Sequence, residues 1–509
     1  MFQKIKEELT SLTSNFFIDF KLLFYFLLIL HVIFISIGID HSICDQHSFR
    51  QTQTAITSYY FIKEGFQFNY ITPVVGYPWR IPFEFPIYQF VVAIISKFTN
   101  LNLDITGRIV SIAAFYGCIG FILKFKNLCK GFPSYLSACL ILCHPIYIFW
   151  SRTFLIESTA LLLIISFIYF TLLYFKNGGV ILPILLAIIG IIGITTKVTT
   201  FLIGLVFVGL YLIYTFKNDQ EFIQKNKKKL LLLGSIFVLL AVALIAWTSH
   251  CDHIKNKSYI GSYLTSTKLS KWNFGTFTQR IQLQSWSDLF YNSSYSLFIS
   301  LLILFVILIS SSSRKKNSNA IIWILSGVAA PLIFFNLYAV HDYYHYANTL
   351  FLLIGIAYFI TQIDEFKKRR DWVIGLIAFS LWVYHIGYSQ LQKINNQSME
   401  ELGSFVESNS NSQDILMVIG NDWGSEIAYY SHRKCITVPG WMMDTLKKQP
   451  TQFIKDLKTS DIKHLVLTGE NRNDNPKKYV QQLGPLLGLN TVFVDEKSKA
   501  VMLSLKLPQ

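Results

Sequence analysis

Apolar and polar positions alternate in long blocks along this chain. Runs near the ~20 residues that an α-helix needs to cross a bilayer fall at about 21–39, 105–124, 132–149, 154–175, 179–196, 199–216, 229–248, 294–311, 320–339, 346–363 and 372–391. The pattern predicts about eleven membrane spans. The run Ile87–Phe98 is shorter and reads as an amphipathic juxtamembrane helix. From about residue 396 the blocks give way to strand-like runs, DILMVIG, CITVP, HLVLTG, TVFVDE and VMLSLK, separated by helical, charged segments such as QPTQFIKDLK. That alternation predicts a small soluble α/β domain over 396–509, following a membrane module over 1–395. The sequence shows no internal repeat and no low-complexity segment.

Composition agrees with a membrane protein, since 52% of the residues are hydrophobic and only 15% are charged. The net charge of +15 does not point to nucleic acid, because no basic helix interleaved with aromatics occurs outside the apolar runs. The basic residues form short clusters instead: Lys4 and Lys6, Lys124/Lys126/Lys130, Lys225 with Lys227–Lys229, Arg314–Lys316 and Lys367–Arg370. All fall on one side if Ile87–Phe98 does not cross, so the positive-inside rule puts the N-terminus in the cytoplasm. The loops 40–104 and 249–293 and the terminal domain are then extracytoplasmic. The expected location is a cell membrane crossed many times, in a bacterium the inner one. Lys21–Ile39 follows about twenty polar or mixed residues without a small-residue cleavage motif and is expected to be an uncleaved signal anchor. Seven cysteines without C-x-x-C spacing indicate neither a disulfide framework nor a zinc site.

Polar chemistry gathers at the predicted outer ends of the spans. The first loop holds Asp40, Asp45, His47, Arg50, Gln51 and Gln53, then YPWRIPFEFPIYQF with Arg80 and Glu84. Arg108 stands in GRIVS, Arg152 and Glu157 in WSRTFLIESTA, Lys197 in TTKVTT, and His341, Asp342, Tyr343 and Tyr344 in HDYYHYA. Loop ends and snorkelling side chains account for isolated members such as Arg80. Glu157 and Lys197 are flanked by apolar residues, where an ionised group is costly unless it is paired or faces a wet cavity.

Four segments in order, HSFRQTQTA, FEFPIYQF, GRIVS and SRTFLIES, resemble the GT-C fold membrane glycosyltransferases of the group that contains the protein O-mannosyltransferases and the lipid A aminoarabinose transferases, and so are glycosyltransferase family 39-like. The resemblance covers roughly residues 20–200; WNFGTF and HDYYHYA extend it more loosely, and NDWGSEIAYYSHRK is similar to the soluble domain of bacterial members. It implies a polytopic α-helical GT-C module that takes one sugar from a polyprenyl-phosphate carrier and passes it, with inversion, to an extracytoplasmic lipid, glycan or protein. Such a displacement needs a base for the acceptor's proton and cations for the departing phosphate. The resemblance assigns the base to an acidic residue of the first loop, Asp45 first and Glu84 second, with Asp40 an interfacial cap. The relatives carry an acidic pair where this chain has Asp45 followed by Gln46. Arg108, Arg152 and Lys197 match the positions that hold the carrier phosphate. His47, Arg50, Gln51, Glu157, His341, Asp342, Tyr343 and Tyr344 are the remaining candidates for substrate contact. Arg152 has an alternative partner in Glu157, and the two tyrosines equally suit an interfacial belt.

The expected partners are the lipid-linked donor, the acceptor and membrane lipids. No D-x-D motif occurs, which favours a lipid-phosphate donor over a nucleotide sugar. No cofactor is assigned, and a divalent metal at His341 and Asp342 or at the His250–His253 run stays open. Two other classes compete: a flippase for lipid-linked saccharides, which would need a polar path through the membrane, and an O-antigen polymerase or ligase, which would concentrate its arginines in one large outer loop.

Overall fold

The computed structural model describes residues 19–298, 300–304, 318–363, 366–459, 461–468, 476–489, 491–495 and 500–504. Apolar runs become helices because lipid offers no partner for a free backbone N–H or C=O. The chain opens with α1 (Phe20–Ser36), capped by the Asp19 carboxylate. After a polar loop come α2 (Ser48–Glu64), α3 (Ile87–Thr99) and α4 (Leu103–Lys124). There follow α5 (Ser134–Leu142), α6 (Pro145–Trp150), α7 (Glu157–Asn177), α8 (Ile181–Thr196), α9 (Val198–Asn218) and the 34-residue α10 (Phe222–Lys255). Short helical turns lead on to α11 (Ser318–Ile333), α12 (Phe335–Val340), α13 (His345–Thr361), α14 (Phe366–Ile386) and α15 (Tyr388–Lys393).

Among the described residues five helices are long and apolar enough to cross a membrane: those at Leu103–Asn127, Glu157–Asn177, Val198–Asn218, Phe222–Lys255 and Asp342–Thr361. A sixth is present if the pair Lys368–Ile386 and Tyr388–Ser408, bent by 49°, counts as one span. The eleven predicted runs differ from this because an apolar run need not be one helix. The run 132–149 breaks before Pro145, which opens α6 at a position whose N–H would have no helical partner anyway. α1, α8 and α11 are apolar but only 16 or 17 residues long. Lys4, Lys6, Arg314–Lys316 and residues 305–311 of another predicted run lie outside the described residues. The run at 87–98 is the helix α3, packed on α2 and α4.

The two ends of the bundle differ in chemistry. At one end Lys176 donates to Asn127 O at 2.8 Å and Lys229 to Phe175 O at 2.7 Å, so the basic segments after α4 and α7 and at the start of α10 meet. At the other end lie the polar loop before α2 and the α6–α7 and α8–α9 turns.

Beyond α15 the chain forms α16 (Ser398–Ser408), β1 (Ile415–Ile419), α17 (Glu426–Ser431), β2 (Lys434–Thr437), β3 (Ile462–Leu467), α18 (Pro476–Leu487), β4 (Thr491–Asp495) and β5 (Ala500–Ser504). The sheet order is β2-β1-β3-β5-β4, with β1 parallel to both neighbours and β5 antiparallel to both of its own. This leaves β2 at an edge, which the first loop covers: Cys435 N and Thr437 N donate to Pro73 O and Val74 O, each at 2.9 Å, and Val75 bridges Ile436. One hydrophobic core continues across that seam, from Val74, Val75 and Ile81 to Cys435, Ile436 and Val438.

Candidate active site

The site is built on α2, a helix that is polar and yet buried. Gln51, Thr52, Gln53, Thr54, Thr57 and Ser58 are all buried, which is costly for a polar atom without a partner; of their side-chain polar atoms only Gln53 Nε2 is buried without one among the described residues. The hydroxyls bond back one turn: Thr52 to Ser48 O at 2.8 Å, Thr54 to Arg50 O at 2.9 Å and Thr57 to Gln53 O at 3.2 Å. The N-terminus of α2 is seated by the terminal α/β unit, where Ser48 donates to Glu426 Oε1 at 2.6 Å and Ser425 donates to Phe49 O at 3.3 Å. Just before α2, Ile43 N donates to Tyr430 OH at 3.1 Å.

Two ionic clusters flank this helix. The first centres on Asp45, whose side chain is 2% exposed. Its Oδ2 accepts from Arg152 Nη2 at 3.2 Å and Arg108 Nη2 at 3.5 Å, while Oδ1 accepts from Gln51 Nε2 at 2.5 Å and Gln46 N at 2.8 Å. Terminal guanidinium nitrogens also donate to backbone carbonyls of the loop after α1, Arg108 to Gly38, Ile39, His41 and Ser42 and Arg152 to Gly38, while Nε of both arginines is buried without a hydrogen-bond partner among the described residues. Burial pulls Arg152 down to about 10, against the opposing pull of Asp45. The motifs GRIVS and SRTFLIES meet because Gly107 has no side chain; a Cβ there would lie 2.2 Å from the Phe154 ring. Ser111 donates to Thr153 O at 2.7 Å, and Phe154 N donates to Gln51 Oε1 at 2.9 Å, so this seam also fixes α2.

The second cluster contains Arg50, Glu84, Lys197, Glu157, His47 and Asp342. Arg50 Nη2 meets Glu84 Oε2 at 2.8 Å, and Gln89 Nε2 donates to Glu84 Oε1 at 2.8 Å. Lys197 Nζ meets Glu157 Oε1 at 2.6 Å and lies 4.4 Å above the Tyr344 ring and 5.4 Å from that of Tyr343. Burial pulls Lys197 below the usual lysine value, with Glu157 opposing. His47 Nε2 is 3.1 Å from Asp342 Oδ1, and its ring packs against His341, Tyr343 and Trp150. Burial, then the neighbouring His47, pulls His341 down to about 4.

The structure regroups several residues that the sequence placed together. Arg152 pairs with Asp45 and Glu157 with Lys197, so an Arg152–Glu157 pair does not form. Of the three cations expected at the carrier phosphate, Arg108 and Arg152 are bonded to Asp45 and to carbonyls of the loop 38–42, whereas Lys197 is paired with Glu157. Asp40 is exposed, and Arg80 binds Asn69 O and Gln67 on the loop surface. In the His250–His253 run the His250 ring lies 5.7 Å from that of Trp247 and Asp252 accepts from Ser266 N at 2.9 Å, and among the described residues no group of three or more His, Cys, Asp or Glu is arranged to hold a metal. Sequence reasoning missed Lys255, which is buried 4.9 Å from the Phe83 ring in the field of Glu84 and Arg50. It missed Trp150 and Tyr388 as well; Trp150 adjoins SRTFLIES, whereas nothing in the local sequence singles out Lys255 or Tyr388.

No protein-family model matches the chain, and no curated protein matches it significantly in sequence. Solved structures do match it in fold. ArnT from Cupriavidus metallidurans bound to undecaprenyl phosphate is 12% identical with a TM-score of 0.59, over 95% of this chain and 99% of that one. The same protein in the apo state has a TM-score of 0.56 at 11% identity, with the same coverage. The archaeal oligosaccharyltransferase AglB from Archaeoglobus fulgidus, in complex with an inhibitory peptide and a dolichol-phosphate, is 11% identical with a TM-score of 0.53, over 95% of this chain and 75% of that one. With nearly the whole chain superposed on such structures, the protein has the GT-C fold of membrane glycosyltransferases.

Proposed function

We propose that this protein is a polyprenyl-phosphate-sugar-dependent glycosyltransferase that moves a single hexosyl or pentosyl unit to an extracytoplasmic acceptor by inverting displacement. The observation that carries the reading is the fold match over almost the full length of a structure that holds undecaprenyl phosphate. The second cluster supplies what the chemistry needs. Lys197 and Arg50 are the cations for the carrier phosphate, the one a point charge and the other a planar fork. They stabilise the charge that develops as the sugar–phosphate bond breaks. Tyr343 and Tyr344, 4.9 Å apart and tilted by 34° to each other beside Lys197, are the rings proposed to meet the sugar.

In this reading Arg108 and Arg152 act as framework, with Asp45 fixing the loop from which α2 starts. An apolar cavity of about 290 Å³, lined by Leu140, Leu297, Leu301, Leu353, Leu376 and Phe379, suits the prenyl chain. The site end faces outward, with the N-terminus in the cytoplasm and the terminal α/β unit outside, in a bacterial inner membrane.

The test is to identify the lipid that co-purifies with the protein by mass spectrometry and to follow transfer of its sugar. A polyprenyl phosphate bound in wild type, and bound about 1–3 kcal/mol more weakly after Lys197→Ala, is expected. Wild-type protein that binds no polyprenyl phosphate refutes the reading.

A further inference from the structure

We propose that His47 is the general base of the transfer and that Asp342 is its positioning residue; this rests on the glycosyl-transfer reading above. The carboxylates beside the cations are already engaged. Asp45 accepts four hydrogen bonds, and Glu84 gives one oxygen to Arg50 and the other to Gln89. Glu157 gives Oε1 to Lys197, and its Oε2, which has no hydrogen-bond partner among the described residues, is sealed from solvent. None of these three is free to approach an incoming hydroxyl.

His47 differs in three respects. Its Nε2 is held by Asp342 Oδ1 at 3.1 Å; Asp342 Oδ2 accepts from Tyr388 OH at 3.1 Å, and Tyr388 OH accepts from Trp150 Nε1 at 3.1 Å. That chain places the proton on Nε2 and leaves a lone pair on Nδ1, which has no hydrogen-bond partner among the described residues. The ring is also accessible, with the side chain 18% exposed. Finally, His47 has φ 50° and ψ 46°, a left-handed backbone for a non-glycine residue, at the N-cap of α2, where its side chain makes no capping bond. Residues held in such backbone regions concentrate at functional sites.

The surroundings suit a proton acceptor. Tyr343 touches both the His47 ring, at 5.0 Å, and Lys197, at 5.4 Å, so base and phosphate-binding cation lie against one aromatic ring. The groups that face His47 are Asp342, His341, Tyr343 and Trp150, with Phe49 and Arg50 following on α2. His341, beside it, is held neutral by its burial and adds no opposing charge.

In the step itself the acceptor oxygen bonds to the anomeric carbon as the bond from that carbon to the phosphate oxygen breaks. The carrier phosphate leaves with the electron pair, and the acceptor's proton passes to His47 Nδ1 and later to solvent.

The experiment uses the full chain in lipid vesicles with undecaprenyl-phosphate-linked radiolabelled hexoses and pentoses, and follows label leaving the carrier for an envelope lipid and glycan extract. His47→Ala and His47→Gln are expected to lower turnover at least ~100-fold while undecaprenyl phosphate binding and thermal stability stay near wild type. Added imidazoles should restore His47→Ala, the more basic ones more effectively. Asp342→Asn should lower kcat with little change in KM. Wild-type transfer with full activity in either His47 variant overturns this proposal alone. So does a loss in folded His47→Ala that no imidazole restores. Wild-type protein that moves no label from any donor overturns the glycosyl-transfer reading and this proposal with it.

Discussion

The acidic residue Asp45 sits between two buried guanidiniums, and its removal leaves them without a counter-charge. Asp45→Asn should therefore destabilise the fold by about 3–5 kcal/mol, the cost of breaking a buried pair, read as a lower Tm of the purified protein. A folded Asp45→Asn protein of unchanged Tm would show that the two arginines do not depend on it. His341 makes a second residue-level prediction. Its imidazole is held near 4 by burial while the unfolded chain titrates at about 6.5, so between those values the unfolded state binds the extra proton. The stability linked to His341 is complete above pH 6.5 and is lost as pH falls toward 4. Replacing it by Asn should make the Tm fall less between pH 7 and pH 4.5 than in wild type, and an unchanged slope counts against a buried neutral His341.

At the scale of elements, the motifs matter as seams between helices and loops. Tyr88 of FEFPIYQF donates to Gly107 O at 2.8 Å, Gly107 lets Phe154 approach α4, and Phe154 N holds Gln51 of α2. Gly107→Ala pushes a methyl group into the Phe154 ring and should cost about 1–3 kcal/mol by overpacking, while transfer drops because α2 loses its seat. Unaltered Tm and transfer would mean that the seam yields without consequence. The order and identity of these motifs are visible in the sequence. Their contacts are not, because Gly107, Phe154 and Gln51 are far apart along the chain.

For the whole molecule, the orientation of the bundle governs where the chemistry happens. Native Cys129 is a poor probe of it, since it is half-buried and burial raises its thiol to about 11. Exposed positions serve better. Lys130→Cys stands on the basic end and Asn411→Cys on the terminal α/β unit, and both residues are exposed. In intact cells a membrane-impermeant thiol reagent should label Asn411→Cys and spare Lys130→Cys until the cells are opened; the reverse pattern would turn the molecule over. The edge of β2 adds a constraint at this scale, for the first loop and the sheet share a core and neither is complete alone.

The sequence by itself determined that the chain is a membrane protein, that its tail alternates strands and helices, and which segments carry polar chemistry. Apolar run length and period 2 alternation are local properties, and local patterns survive in the sequence. It also contained the motifs of the GT-C fold in order. Only the tertiary structure decided how the charges pair. Arg152 and Lys197 look alike in the sequence, each a cation at the end of an apolar run, yet one is held by Asp45 and Gly38 O and the other, paired with Glu157, stands over two tyrosines. Lys255 and Tyr388 show no local signal at all. A hydrogen-bonded chain such as Trp150, Tyr388, Asp342 and His47 joins residues 46 to 295 positions apart, and its partners are chosen by distance and burial, which exist only once the chain has folded.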